Sequence, residues 1–207
     1  PETSRGVDVG LRGDHGAVQW TVAVHAARFR DFIESRRNVG VDPATGLLLF
    51  QSVNLSRVET WGAEASARWA FDDLGWRGGF ARFAASRTRG VDRTADVWLA
   101  SIDPLRAVFG VGWRGDDGGI ELVAPAAARQ RDVSSTAVFV APGHALLDLI
   151  ADWELSPAWR LEAALFNLAD RRVWDAADTA GVPANSTVLD RYTRPGRNAR
   201  ITVTASF

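Results

Sequence analysis

The chain of 207 residues contains no cysteine and no methionine. Without cysteine it can hold neither a disulfide framework nor a thiolate metal site. Lysine is absent as well, so its 24 basic residues are all arginine, set against 25 acids. The net charge of -1 offers no basic excess to draw in a polyphosphate, which excludes a general nucleic-acid binder. No run of about 18 apolar residues occurs, so a transmembrane helix is excluded. A membrane β-barrel stays open, because its strands need only about 9 to 11 alternating residues each. The chain starts at Pro1, and the expectation is a piece of a longer protein, so a missing leader says nothing about compartment.

Catalytic signatures are equally scarce. The three histidines, His15, His25 and His144, are too scattered for a metal cluster. No GxSxG presents a nucleophile, which argues against hydrolysis. Gly110, Gly112 and Gly115 match the spacing of a dinucleotide-binding loop. The residues after them are DDGG and another alternating strand, whereas that mechanism needs a helix facing the pyrophosphate. The reading is a protein that is not an enzyme.

What is present is a period of two. From Ala199 to Phe207, the apolar Ala199, Ile201, Val203, Ala205 and Phe207 alternate with Arg200, Thr202, Thr204 and Ser206, the pattern of a strand with one apolar face. The same alternation runs through Val7 to Leu11, Val18 to Arg28, Leu55 to Phe71, Gly79 to Thr88, Leu105 to Arg114, Ile120 to Arg131, Ala145 to Trp153 and Trp159 to Phe166. That makes about nine strands. WGAEASARWA and HALLDLIADW also satisfy a helical i, i+4 spacing. They are read as strands because Trp61 to Trp69 alternates strictly and no capping box precedes either segment.

The connections alternate between short and long. DHGA, DDLG, GDDG and SPA suit tight turns. Between them lie longer stretches, roughly Glu34 to Phe50, Arg89 to Asp103, Asp132 to Gly143 and Val173 to Pro195. An antiparallel meander places all the short turns at one end and all the long loops at the other, as outer-membrane barrels do. Trp20, Trp69, Trp76, Trp113, Trp153 and Trp159 fall within a few residues of short turns. They predict an aromatic girdle at one membrane–water boundary. The alternative for those tryptophans is the core of a soluble sandwich. The other face carries Gln19, Thr21, His25, Glu64, Arg68, Arg82, Glu121, Asp148, Asp152, Arg160 and Glu162, which suits a water-filled or plugged lumen.

The tail NLADRRVWDAADTAGVPANSTVLDRYTRPGRNARITVTASF, Asn167 to Phe207, resembles the C-terminal end of TonB-dependent outer-membrane receptors. YTRPGRN with its short alternating strand and terminal Phe looks like the haem, haemoglobin and transferrin receptor branch. FQSVNLSRVETWGAEASARW, with Asn54, Gly62 and Glu64, is similar to a barrel strand of such receptors, and SIDPLRAVFGVGWR resembles one of their later strands. The resemblance implies an all-β antiparallel meander of about nine strands, residues 1–207 forming the C-terminal part of a 22-stranded barrel. The plug domain, the TonB-contacting segment and the upstream strands would lie outside these residues.

It further implies a bacterial outer-membrane location and no permanently bound cofactor, with haem or a ferric complex as transported ligand. Siderophore or cobalamin uptake is the alternative; a soluble all-β binding module or a small autonomous barrel is the alternative from another class. Expected partners are outer-membrane lipid and lipopolysaccharide, the TonB complex, the barrel-assembly machinery, and haem, a haemoprotein or a siderophore. Ile201, Val203 and Phe207 resemble the assembly signal. His144, Arg93, Trp98, Trp174, Arg191 and Tyr192 are the candidate ligand contacts: an imidazole for iron, arginines for propionates or carboxylates, aromatic rings for stacking. Basic residues at the loop rim are equally suited to lipopolysaccharide phosphates.

Overall fold

The structure is a computed structural model that describes residues 1–99, 101–131 and 137–206. Its backbone is one antiparallel sheet. The long strands are β1 (Thr3–His15), β2 (Val18–Val41), β3 (Leu48–Ala70), β4 (Gly79–Asp92), β6 (Arg106–Arg114), β7 (Gly118–Ala127), β9 (Asp148–Ser156), β10 (Trp159–Phe166) and β11 (Asn198–Ala205). Two short strands, β5 (Val97–Trp98) and β8 (His144–Ala145), pair with β4 and β7. The order is that of the chain, and β1 and β11 are not paired with each other, so the sheet is open. The two segments with an alternative helical spacing are sheet: WGAEASARWA lies in β3, and HALLDLIADW supplies β8 and the start of β9.

The register makes the alternation three-dimensional, because directly paired residues share a face. Val9 pairs Val24 and Val24 pairs Ala63; Phe83 pairs Phe109; Leu122 pairs Leu149; Ala163 pairs Ile201. One continuous apolar face results. It is strongly solvent-exposed, with Val9 at 57%, Trp153 at 48% and Ile201 at 72%. A soluble sandwich would bury that face against a second layer; among the described residues there is none. We call it the outward face and the polar one the inward face. Among the described residues no helix is long and apolar enough to cross a membrane, which leaves crossing by strands untouched.

Several boundaries differ from expectation. β1 extends well beyond Val7 to Leu11, and β7 stops at Ala127 instead of Arg131. The largest difference is the stretch Glu34 to Phe50, expected as a loop. Here β2 and β3 continue as a tall two-stranded arm, closed only by residues 42–47. Its turn is held by Asp42, whose Oδ1 accepts the Ala44 N–H at 2.8 Å and whose carbonyl accepts the Gly46 N–H at 2.8 Å. Gly46 supplies the positive φ of 69° that closes it. The alternation on each side of the arm is interrupted by register shifts, which is why period-two counting stops short of it.

One buried hydrophobic cluster sits at the loop end. Leu55, Val58 and Leu99 form the core, with Phe29, Phe32, Val53 and Ile102 against it. This cluster clamps the β4–β6 connection onto the arm, and each buried aliphatic there contributes about 1.5–3 kcal/mol.

Candidate functional site

The inward face is a field of paired charges. Arg82 on β4 pairs with Glu121 on β7 across β6, passing over Gly110. Nearer the turns, Asp152 on β9 accepts from Arg114 at 2.7 Å and Arg160 at 3.3 Å, and Arg160 also reaches Glu162 at 3.4 Å. The Arg68 guanidinium lies 3.8 Å from the Phe80 ring centroid. His25 lies over Gly62, where an added Cβ would stand 2.6 Å from the imidazole, and Thr88 Oγ1 is 3.4 Å from its Nε2. Gly62 is therefore the space that lets a ring lie flat on the inward surface.

At the loop end the strands carry a cleft of about 500 Å³. β2 supplies Glu34, Arg37 and Asn38, β3 Leu55, and β4 Asp92; Trp98, Leu99 and Ser101 come next, and Ala177, Ala180 and Gly181 close the far side. Its acids are already engaged. Glu34 is buried, with Arg37 at 3.8 Å and the Ser101 hydroxyl donating at 3.4 Å. Asp92 accepts the backbone N–H groups of Thr94 at 2.8 Å and Ala95 at 3.3 Å. Asn38 Nδ2 donates to the Gly181 carbonyl at 2.7 Å, tying the arm to the β10–β11 connection. Among the described residues no group of acids and histidines stands close enough to hold a metal ion.

The β10–β11 connection contains α1 (Ala176–Thr179) and is anchored by a second charge cluster. Asp175 is buried and accepts from Arg106 of β6, with Arg194 at 3.6 Å; Arg106 also holds Asp103 at 3.0 Å. His144 stands beside this cluster, its Nδ1 enclosed without a hydrogen-bond partner. Burial, helped by Arg194 and Arg106, pushes the His144 imidazole below its ordinary value of 6.5, although Asp175 pulls the other way.

The sequence candidates for ligand contact separate into three places. His144 belongs to the Asp175 cluster. Arg93 donates to Glu59 at 2.7 Å, and the Trp98 ring lies 6.1 Å from Trp61 with Arg89 5.3 Å away, at the cleft's outer edge. Trp174 donates from Nε1 to the Leu189 carbonyl at 2.9 Å and meets Phe139 at 5.9 Å, with Arg172 5.3 Å from its ring. Leu189 opens the short 3-10 turn that carries Arg191 and the half-buried Tyr192. Trp174, Arg191 and Tyr192 thus share one loop surface, which Arg93 and Trp98 do not join.

At the turn end, Trp69, Phe71 and Trp76 form a chain of rings at 5.2 and 5.4 Å, and Trp113 Nε1 donates to the Arg77 carbonyl at 3.2 Å. Trp20, Trp153 and Trp159 are exposed on the same outward face. Ile201 and Val203 are exposed outward on β11; Phe207 lies outside the described residues.

Sequence reasoning missed Glu34, Asn38, Asp175 and Asn167. Glu34 and Asp175 carry no local signal, since their partners Ser101 and Arg106 lie 67 and 69 residues away in the chain. Asn167 was legible only as the start of the tail. It is buried at a φ of 51°, donates its N–H to Asp148 at 2.7 Å, and exchanges side-chain bonds with Arg171 at 2.8 and 2.9 Å. Asp170 then accepts the Arg197 N–H at 2.7 Å, which sets where β11 begins.

An open meander with an apolar outward face, a salt-bridged inward face, short turns at one end and loops at the other is a wall segment of a membrane-type β-barrel. Residues 1–168 match the family described as TonB dependent receptor-like, beta-barrel, and the chain belongs to that family. Its folds agree. All of this chain superposes on 32% of the copper transporter OprC at a TM-score of 0.79 and 21% identity. It likewise covers 31% of a ferric enterobactin receptor (PfeA) from Pseudomonas aeruginosa, TM-score 0.72 and 19% identity, and 31% of the FrpB iron transporter from Neisseria meningitidis, TM-score 0.68 and 13% identity. The chain therefore spans about a third of the length of these proteins. Comparison with curated proteins by sequence gives no match. The family is one of receptors and transporters, not enzymes.

Proposed function

We propose that this chain is the C-terminal part of an outer-membrane TonB-dependent receptor that imports a metal chelate, and that it supplies barrel wall and loop-end binding surface. The observation that carries the reading is the two-faced sheet within the family match: exposed aliphatics outward, paired charges inward, and tryptophans at the turn end. The six turn-end tryptophans act as the girdle at the inner boundary of the bilayer. The plug, the segment that contacts TonB and the upstream strands belong to the rest of the receptor, and the proton gradient acts through them. β11, with Ile201 and Val203 outward and Phe207 following it in the sequence, is the strand the barrel-assembly machinery engages by strand addition.

The ligand is an iron complex carried transiently, with no resident cofactor. Haem is the favoured chelate on the resemblance of the YTRPGRN tail and on the loop surface of Trp174 and Phe139, whose rings offer stacking; Arg172 beside them is paired with Asp190. A ferric siderophore is supported by the loop-end cleft of about 500 Å³ with its engaged acids and by the neighbour whose name carries enterobactin. Titration of the intact receptor with haem and with ferric catecholate chelates, alongside a twin lacking residues 89–103 and 173–195, tests both. Saturable binding that the twin loses supports reception through this chain. Unchanged binding in the twin sinks it.

A further inference from the structure

The charges around the loop-end cleft are mostly negative. Glu34 and Asp92 both line it, and both are buried, at 7% and 3% exposure. Their oxygens are engaged from the protein side: the Ser101 hydroxyl donates to Glu34, and the Thr94 and Ala95 N–H groups donate to Asp92. Among the described side chains Arg37 is the cation that lines the cleft, and it lies 3.8 Å from Glu34. Two further acids are exposed beside lining residues, Asp96 between Ala95 and Val97 and Asp178 next to Ala177. At the outer edge Arg89 is turned to the Trp98 ring, 5.3 Å away.

Glu34 and Asp92 set against Arg37 leave the described lining with one net negative charge. Buried charges are screened less than surface ones, so the field of these two carboxylates crosses the cavity. Between the charges the wall is apolar, formed by Leu55, Val97, Leu99, Val138 and Ala180. Asn38 is committed to the Gly181 carbonyl and the Gly40 N–H. A volume of about 500 Å³ falls within the roughly 300–1,000 Å³ of small-ligand sites. The cleft therefore offers apolar contact and a repulsive field to anions, with one shared guanidinium to answer a negative group.

We propose that this cleft receives an electroneutral ferric chelate of the trihydroxamate class, and that Glu34 and Asp92 exclude anionic chelates from it. The inference rests on the chelate-importer reading and sharpens its siderophore alternative. Three hydroxamates each bring one negative charge to ferric iron, so their complex is neutral; three catecholates each bring two and leave a trianion. A trianion entering the cleft gives up hydration to face two buried carboxylates and a guanidinium already shared with Glu34. The neutral chelate gives up little hydration and lays its methylene spacers against Leu55, Leu99 and Val138. Discrimination thus comes from a repulsive element built into the wall.

The test keeps the shape of the chelate and varies its charge. The intact receptor in detergent is titrated, by quenching of tryptophan fluorescence, with the ferric complexes of N-acetyl desferrioxamine, which is neutral, and N-succinyl desferrioxamine, which carries one free carboxylate, and with ferric enterobactin. Wild type should bind the acetyl complex saturably, the succinyl complex about 10-fold or more weakly, and ferric enterobactin most weakly. Glu34→Gln and Asp92→Asn each keep an acceptor oxygen for the present donors. Each should bring the succinyl complex to within about 3-fold of the acetyl complex, whose own affinity stays unchanged. Equal affinity of wild type for the acetyl and succinyl complexes overturns the proposal without any variant. So does tighter binding of ferric enterobactin, or a charge preference that both variants leave intact. A receptor that binds haem or ferric enterobactin and neither desferrioxamine complex overturns this inference alone, whereas one that binds no iron chelate overturns the reading beneath it.

Discussion

Asn167 shows how much one side chain can hold. Buried, in a left-handed conformation and bonded on both ends of its amide, it joins the β10 terminus to the NLAD turn. Asn167→Ala should destabilise the barrel by about 2–4 kcal/mol, because buried backbone partners lose their bonds and alanine resists that φ. Urea unfolding of the refolded receptor in detergent measures it, and a change under about 0.5 kcal/mol refutes the keystone role. Gly62 is the complementary case. A Cβ there would stand 2.5 Å from the Arg87 carbonyl oxygen as well as against His25. Gly62→Val should cost about 1–3 kcal/mol by overpacking, seen as a lower melting temperature of the heat-modifiable band. His144 sets a pH dependence. Its folded-state pKa lies below 6.5, so its contribution is present above that value and is lost as pH falls through the folded one. Protection factors for amide exchange in the connection around Asp175, each taken against the intrinsic rate at that pH, should fall on acidification in wild type and not in His144→Asn; parallel pH profiles would refute the assignment.

At the scale of elements, the inward salt bridges align neighbouring strands more than they stabilise them. Asp152 joins β6, β9 and β10 through Arg114 and Arg160, both about half exposed, so solvent screening limits each pair to about 1 kcal/mol or less. Asp152→Asn should therefore leave the barrel folded and weaken it only slightly. A double-mutant cycle with Arg114→Gln giving coupling above about 2 kcal/mol would show a buried-type pair instead. The tall β2–β3 arm was not legible as strand, because its register shifts break the period of two. The 3-10 turn at Leu189–Tyr192 and the four-residue α1 were hidden for a similar reason: one turn of helix leaves no periodicity to read.

For the whole molecule, the unpaired edges of β1 and β11 govern behaviour. Each presents a row of N–H and C=O groups that water satisfies poorly beside an apolar face. Residues 1–207 refolded alone in detergent should give no heat-resistant, compact species, whereas the intact receptor should. A compact band from the isolated chain, detected by gel mobility before and after heating, would show that the segment closes on itself.

What the sequence determined by itself was the kind of surface each strand presents. Period-two alternation, turn chemistry and the placement of tryptophans arise from local chain geometry, so the strands, the faces and the two ends were readable from Val7 to Phe166 and again from Ala199 to Ala205. Tertiary structure alone decided which distant residues meet. Glu34 finds Ser101, Asp175 finds Arg106, and Arg82 on β4 finds Glu121 on β7 across β6, because strand register, a property of paired backbones, sets the height of each side chain. No local pattern encodes that height, since a one-residue slip changes every pairing while the composition stays the same.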